Sequence, residues 1–445
     1  MLSIPDAARA LREGRTTAAA LTEDALAHAA ARPDLHAFAA LLPDQARAEA
    51  AAVDKAFAQG QDLGPLMGIP IGVKDIIAIA GQPTQCGSAV PMPVATEDAS
   101  AVARLRAGGA VIIGRLQTYE FATVGPDETL PQPPSTNPWS ADHITGGSSS
   151  GSASAVAGGL LRAALGTDTG GSVRAPAAYC GCVGLKPTKG RIPLTGTVPL
   201  SPSLDHIGPL AASVEEAAIL LDALSDPGWR PATAERGLPV TGVSIGYARD
   251  WFASDPACDP GLLRALDDAA STLSRLGSHI TLVQLPDYTL WETAAALILD
   301  AEALAANHAR IASHGALYGK PALRSLLRAT GLTDADITAA WQTARLLAAE
   351  LDVILSQHDA ILTATTLAPA PPVAAFRGGR AVWTAMRTLP FNASGHPAIS
   401  VPAGFAQGLP LGAQLIAAHG AEDRLIRIAH AFEQATDHTI HRPLA

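Results

Sequence analysis

The sequence predicts an α/β fold in one large domain. Apolar runs of strand character, bounded by glycine and proline, alternate with stretches of helical pattern. The 445 residues are 48% hydrophobic, enough for a sizeable core, and the positive mean hydropathy of +0.20 owes much to alanine. That length also allows two or three ordinary domains, but no repeat and no break in composition marks a boundary.

The elements follow in order. Thr16 or Thr17 can cap a helix running to about residue 32. Residues 36–42 read as a short strand, and 44–59 as a helix stopped by Gly60. Residues 68–77, GIPIGVKDII, are a β-type run with Lys74 inside it. Residues 100–109 are helical and 111–114 a buried strand. Residues 125–138 are proline-rich and irregular. Residues 153–164 are alanine-rich and apolar, read as about three helical turns between two glycine loops, 146–152 and 166–174. Strand and turn follow to Pro209. Ser213-Val214-Glu215-Glu216 reads as a capping box opening a helix to about Leu224. Residues 227–239 form a surface loop. Strands near 243–247 and 280–285 flank a helix. A long helical stretch, 290–351, breaks around Gly319 and Gly331. Strands at 361–363, 398–401 and 413–417 precede a last helix, 422–435.

The formal net charge is −10 and no Lys/Arg cluster occurs, so a nucleic-acid backbone is not an expected partner. No apolar run reaches the roughly 20 residues that span a bilayer, and the N-terminus reads as a short amphipathic helix. Four cysteines are too few for a disulfide framework at this length. They read as small buried hydrophobes in a cytoplasmic protein.

The chemistry concentrates at 146–186, GGSSSGSASAVAGGLLRAALGTDTGGSVRAPAAYCGCVGLK. Two serine-bearing glycine loops bracket one apolar segment, so distant hydroxyls can meet. Thr169, Gly170, Gly171 and Ser172 can present a run of N–H groups, the donors a developing oxyanion needs. A flexible Gly/Ser linker would not be flanked by apolar helix and strand material. Gly147-Ser148-Ser149-Ser150-Gly151 matches G-x-S-x-G, but the preceding NPWSADHIT is no strand, as a nucleophile elbow requires. There are 13 histidines but no HExxH and no compact His/Cys/Asp set. His143, His206 and His396 read as structural hydrogen-bonders. Lys74, among Ile and Val, carries a desolvation cost when charged. From its local pattern alone it could equally snorkel or pair with Asp75.

GGSSSGS, GTDTGGSVR and CGCVGLKP resemble the amidase signature family, whose core reads GGSSGGS, GTDTGGSIR and CGxVGLKP. The resemblance extends to GIPIGVKD, Glu120-Phe121-Ala122, Asn137-Pro138, 203–209 (SLDHIGP) and 392–402 (NASGHPAISVP). It covers nearly the whole chain. It implies a single domain, 1–445, with a mixed, mostly parallel β-sheet covered by helices on both faces. The motif-bearing core is 66–210, and 225–390 is the part expected to vary with substrate.

The resemblance further implies a catalytic Ser-Ser-Lys set with a cis Gly147–Ser148 peptide. Ser172 would attack an amide carbonyl, and Ser148 would link it to Lys74 as base. Thr169 to Ser172 would form the oxyanion hole. No metal or cofactor is implied. An amine held neutral in an apolar pocket is a competent base near neutral pH. Ser149, Asp168 and Arg174 are expected as structural support, with Thr167 near them. Ala122, Thr123 and Val124 are expected in the substrate pocket, walled by 122–136, 288–330 and 376–391. Tyr119, Trp291, Tyr318 and Trp383 could favour a flat or aromatic acyl group, although aromatic residues in loops are more often packing.

Two departures stand out: Ser150 replaces a usual glycine, and 126–136 (PDETLPQPPST) lacks the usual Thr-x-Asn. The expected activity is hydrolysis of a C–N bond in a small-molecule amide, with anilides, carbamates and esters open to the same machinery. The alternative is the amidase component of a glutamyl-tRNA amidotransferase-like complex. A non-catalytic binding protein would not need Lys74, Ser148 and Ser172 together. A homodimer is compatible with the sequence but not legible in it.

Overall fold

The computed structural model describes residues 1–441 and 443. One sheet of 11 strands runs through the molecule. In chain order the strands are β1 (Phe38–Leu41), β2 (Pro70–Lys74), β3 (Val111–Leu116), β4 (Ala163–Asp168), β5 (Val183–Lys186) and β6 (His206–Ala211). Then come β7 (Ser244–Tyr247), β8 (His279–Leu282), β9 (Ala360–Ala364), β10 (Ala398–Ala406) and β11 (Leu409–Ile416). Their spatial order is β1-β3-β2-β4-β6-β5-β10-β11-β9-β7-β8.

The expected α/β domain with a mixed sheet is found. Its parallel pairing lies in two units, β3-β2-β4 and β9-β7-β8, and the strands between them pair antiparallel. β10 and β11 form a hairpin through Gln407-Gly408, which forces antiparallel pairing there. Strands β2 to β6 are buried almost throughout, as strands covered on both faces must be.

Most sequence expectations for the elements hold. Thr17 caps Ala18–Ala31, its hydroxyl accepting the Ala20 N–H. Gly60, at φ +75°, follows the helix Pro43–Ala58. The long helical stretch divides into Tyr288–His314, Lys320–Leu326 and Asp334–Leu355.

Two elements differ. The helix expected over 153–164 is Ser150–Ala157 and stops at Gly158-Gly159, the latter at φ +73°. Residues 163–168 are then β4, so Gly166 to Asp168 are strand and not loop. Pairing on both sides, to β2 and β6, overrides the helical propensity of this alanine-rich run. The capping box at Ser213 is half made. Ser213 accepts the Glu216 N–H, but the Glu216 carboxylate takes the Ile4 N–H and Arg162.

The register positions the site. β2 and β4 are parallel neighbours with Val73 opposite Leu165. Their C-terminal ends therefore carry Lys74 and the Thr167-Asp168 corner side by side. The helix Ser150–Ala157 packs on β2 and β4 and brings the Gly146–Ser149 loop over that same end.

Candidate active site

Lys74 is fully buried at the end of β2. It does not pair with Asp75, whose carboxylate is 2.5 Å from the Arg115 Nε. Its Nζ instead meets three hydroxyls: Ser148 Oγ at 2.7 Å, Thr167 Oγ1 at 2.8 Å and Ser149 Oγ at 3.0 Å. Burial lowers its pKa to about 7, against the opposing pull of Asp168 and Asp205. Ser149 donates its own proton to the Thr167 carbonyl at 3.1 Å, so toward Lys74 it accepts. The Ser148 proton has no such commitment and is free to point at the amine lone pair.

The serine loop is tightly held. The Gly147–Ser148 peptide is cis. The Ser148 carbonyl accepts N–H groups from Tyr119 at 3.1 Å and Ser150 at 2.9 Å. A Cβ on Gly147 would fall inside the Tyr119 ring, which is why glycine stands there. Ser150, in place of the usual glycine, starts the helix and needs no positive φ.

Ser172 follows the corner after β4. The Ser149 N–H donates to its carbonyl at 3.2 Å, tying the two loops together. Its hydroxyl makes no hydrogen bond among the described residues and borders the cavity.

Behind this corner Asp168 and Arg174 form a fully buried pair, with Arg174 Nη2–Asp168 Oδ1 at 2.8 Å and Nε–Oδ2 at 3.0 Å. Burial would raise the Asp168 pKa, but Arg174 outweighs it and holds the carboxyl well below the usual range. Asp168 also accepts the N–H groups of Gly171 at 2.9 Å and Val173 at 3.2 Å. The Gly171 N–H is thus engaged from behind. Of the four expected oxyanion donors, Gly170 and Ser172 border the cavity with N–H groups free of such a partner, while Thr169 sits behind the wall, its hydroxyl on Asp205.

Three residues without a role in the sequence reading complete this support. Thr388 Oγ1 donates to the Gly170 carbonyl at 2.6 Å. Asn392 Nδ2 donates to Asp168 Oδ1 at 2.8 Å and its Oδ1 accepts Arg174. Gln414 Oε1 accepts Arg174 Nη1 at 2.7 Å. The signal for Asn392 was its place in the C-terminal block, but its target lies 224 residues away.

The cavity beside Ser172 is lined by Tyr119, Thr123, Val124, Ile144, Tyr179, Phe376, Trp383 and Met386, among others. Thr123 and Val124 border it. Ala122 does not: it is buried in the core, at φ +58°. Trp291 is fully buried against Phe391, and Tyr318 stacks on Phe121 with centroids 5.1 Å apart. Those two rings are packing, leaving Tyr119 and Trp383 at the cavity.

Folding also collects a group the sequence did not reveal. Asp352, His396 and His419 have ligand atoms within 4.8 Å of one another, with His396 Nε2 on Asp352 Oδ1 at 2.9 Å. Neither Lys74, Ser148, Ser172 nor any cavity residue belongs to it. Cys86, Cys180 and Cys182 are buried, whereas Cys258 is partly exposed. No described helix is long and apolar enough to cross a membrane.

The amidase family model matches residues 20–426. The chain belongs to the amidase signature family. It is similar to a glutamyl-tRNA(Gln) amidotransferase subunit from Synechococcus sp. (strain WH7803), 37% identical over 444 residues, covering 90% of each chain. Among solved structures, the native peptide amidase from Stenotrophomonas maltophilia is 31% identical, with TM-score 0.85 and 99% and 98% of the two chains covered. A structure described as revealing the evolutionary origins of an s-triazine catabolic enzyme is 32% identical, with TM-score 0.90 over 100% of both chains. As an amidase, the protein is an enzyme acting on C–N bonds.

Proposed function

We propose that this chain hydrolyses small-molecule amides through an acyl-enzyme on Ser172, with Ser148 and Lys74 as its proton relay. The observation that carries the reading is the 2.7 Å contact between a fully buried, near-neutral Lys74 and the Ser148 hydroxyl. Ser172 Oγ bonds to the carbonyl carbon and passes its proton to Ser148, which passes its own to Lys74. The carbonyl π electrons move onto oxygen, facing the turn Thr169–Ser172, where the Gly170 and Ser172 N–H groups are uncommitted. Collapse of this intermediate breaks the C–N bond. The proton held by Lys74 returns through Ser148 to the leaving nitrogen. Water then attacks the acyl carbon, giving its proton to the same relay; collapse breaks the C–Oγ bond, the relay returns the proton to Ser172 Oγ, and the acid leaves. Asp168, Arg174 and Ser149 hold the two loops and stay out of the transfer. Residues 225–390 supply Phe376, Val382, Trp383 and Met386 to the cavity, and on this reading they set specificity within one domain, 1–445.

A second reading, the amidase component of a tRNA amidotransferase, is favoured by the names of relatives 34–37% identical. The isolated chain separates the two: turnover of simple amides without partners supports the first, and inertness until partners are added supports the second. Ser172→Ala tests the nucleophile. The expected result is loss of turnover with an unchanged circular dichroism spectrum and loss of the acyl adduct in mass spectra of the stalled enzyme. Retained turnover removes Ser172 from this role.

A further inference from the structure

Two cavities meet at one side chain. The chamber beside Ser172 has a free volume of about 40 Å³. A second pocket of about 350 Å³ lies beyond, lined by Glu292, Asp300, Arg328 and Leu389 among others. Trp383 is the residue that borders both. A Cβ on Gly170 would lie 2.9 Å from the Trp383 Cη2, so the indole edge rests on the backbone beside the nucleophile.

We infer that Trp383 is the wall that limits acyl length, so that the enzyme takes short, uncharged acyl groups. This rests on the acyl-enzyme reading above and adds the substrate class to it. Among the described residues, no Asp, Glu, Lys, Arg or His lines the inner chamber, so a charged acyl substituent would be desolvated there without a partner. Burial keeps the phenol of Tyr179 protonated, its pKa raised to about 12. Free amino-acid amides such as glutamine, with both an ammonium and a carboxylate, fit this chamber poorly. The charged groups stand on the far side of the indole. There Arg328 is held by Asp300 at 2.7 and 3.0 Å, and Glu292 accepts the Tyr288 hydroxyl at 2.7 Å.

Trp383 is positioned by packing alone: its indole N–H has no hydrogen-bond partner among the described residues, and it is 40% exposed. Removing it should therefore join the two spaces without disturbing Lys74 or Ser148.

The test is kcat/KM across acetamide, propionamide, butyramide, hexanamide and octanamide. For the wild type the optimum is expected among the shortest of these acyl groups, with at least a ~10-fold fall by hexanamide. Trp383→Ala should move the optimum to hexanamide or longer, and Trp383→Phe should keep it short. A collapsed structure would depress every substrate together and leave the optimum in place. That outcome, or a wild type that prefers hexanamide, overturns the inference. Calorimetric binding of butyramide and hexanamide to Ser172→Ala, with and without Trp383→Ala, reads the chamber independently of turnover. A reversal of preference on losing Trp383 supports the wall even if the reaction proves different. Unchanged preference sinks the wall and leaves the reaction standing.

Discussion

Two lysines are fully buried among the described residues of this sheet, and they meet opposite kinds of partner. Lys74 ends β2 and Lys186 ends β5. Burial lowers the pKa of both. The difference lies in their partners. Lys74 meets three hydroxyls, groups that both give and take protons. Lys186 meets two carbonyls, His396 at 2.6 Å and Pro187 at 3.1 Å, and the His206 Nε2 at 3.4 Å. The His206 Nδ1 is on the Leu204 carbonyl at 2.7 Å and so carries the ring proton, leaving Nε2 to accept. Lys186 is therefore ringed by acceptors. Burial makes an amine a weaker proton holder, but only a neighbour able to pass a proton makes it a base. Lys186 joins segments, whereas Lys74 has the partners that the proposed base requires.

The sharpest way to break this comparison is to remove each amine. Lys74→Met should lower kcat by about 10²–10⁴-fold, the usual worth of a positioned general base, while the fold persists. Lys186→Met should instead lower stability. It strands two buried carbonyls at a cost of about 1–3 kcal/mol each, measurable as a shift of the urea midpoint. If the two variants lose activity and stability in parallel, the division of labour fails.

The pH dependence is the next effect in size. The proposed reaction needs neutral Lys74, so kcat/KM should rise with pH and level off above an apparent pKa near 7. The same shift has a stability signature. The unfolded chain holds the Lys74 proton up to its ordinary value of 10.5, whereas the folded chain gives it up above about 7. Between those limits the unfolded state binds more protons, so raising pH stabilises the native state. Relative to Lys74→Met, wild-type stability should climb by about 1.4 kcal/mol per pH unit from pH 7 toward 10. Denaturation series at pH 7, 8 and 9 measure this. Parallel curves for the two proteins would mean that Lys74 stays charged when folded.

How much of this was legible follows from how local each signal is. Lys74, Ser148 and Ser172 sit in short motifs whose glycines and apolar neighbours are contiguous in the chain. Most helix ends were legible for the same reason, since Thr17 and Gly60 act within one turn. The β4 error shows the limit: residues 163–168 are strand because β2 and β6 flank them, which no local window contains. Ala122 was assigned to the pocket by position, yet it is buried in the core. The Asp352, His396 and His419 group and the Thr388–Gly170 contact join segments far apart in sequence, so nothing short of the fold reveals them.

Thr388 gives the smallest effect and the finest test. Its hydroxyl, like that of Ser148, stands beside the serine turn. Unlike Ser148 it has committed its proton, donating to the Gly170 carbonyl at 2.6 Å. Its own carbonyl accepts Arg174 Nη1 at 3.0 Å. By the logic of the two lysines it is a positioning residue, one that fixes the Gly170 peptide and so aims the neighbouring N–H groups. Thr388→Val keeps the shape and deletes the bond, leaving a buried carbonyl unpaired. The expected loss is about 10-fold in kcat with KM little changed, well below the 10²–10³ of losing an oxyanion donor outright. Thr388→Ser should restore the rate, because the hydroxyl and not the methyl matters. A Val variant that changes in KM alone, or a Ser variant no better than Val, would show that Thr388 shapes the cavity and leaves the turn's aim to Asp168.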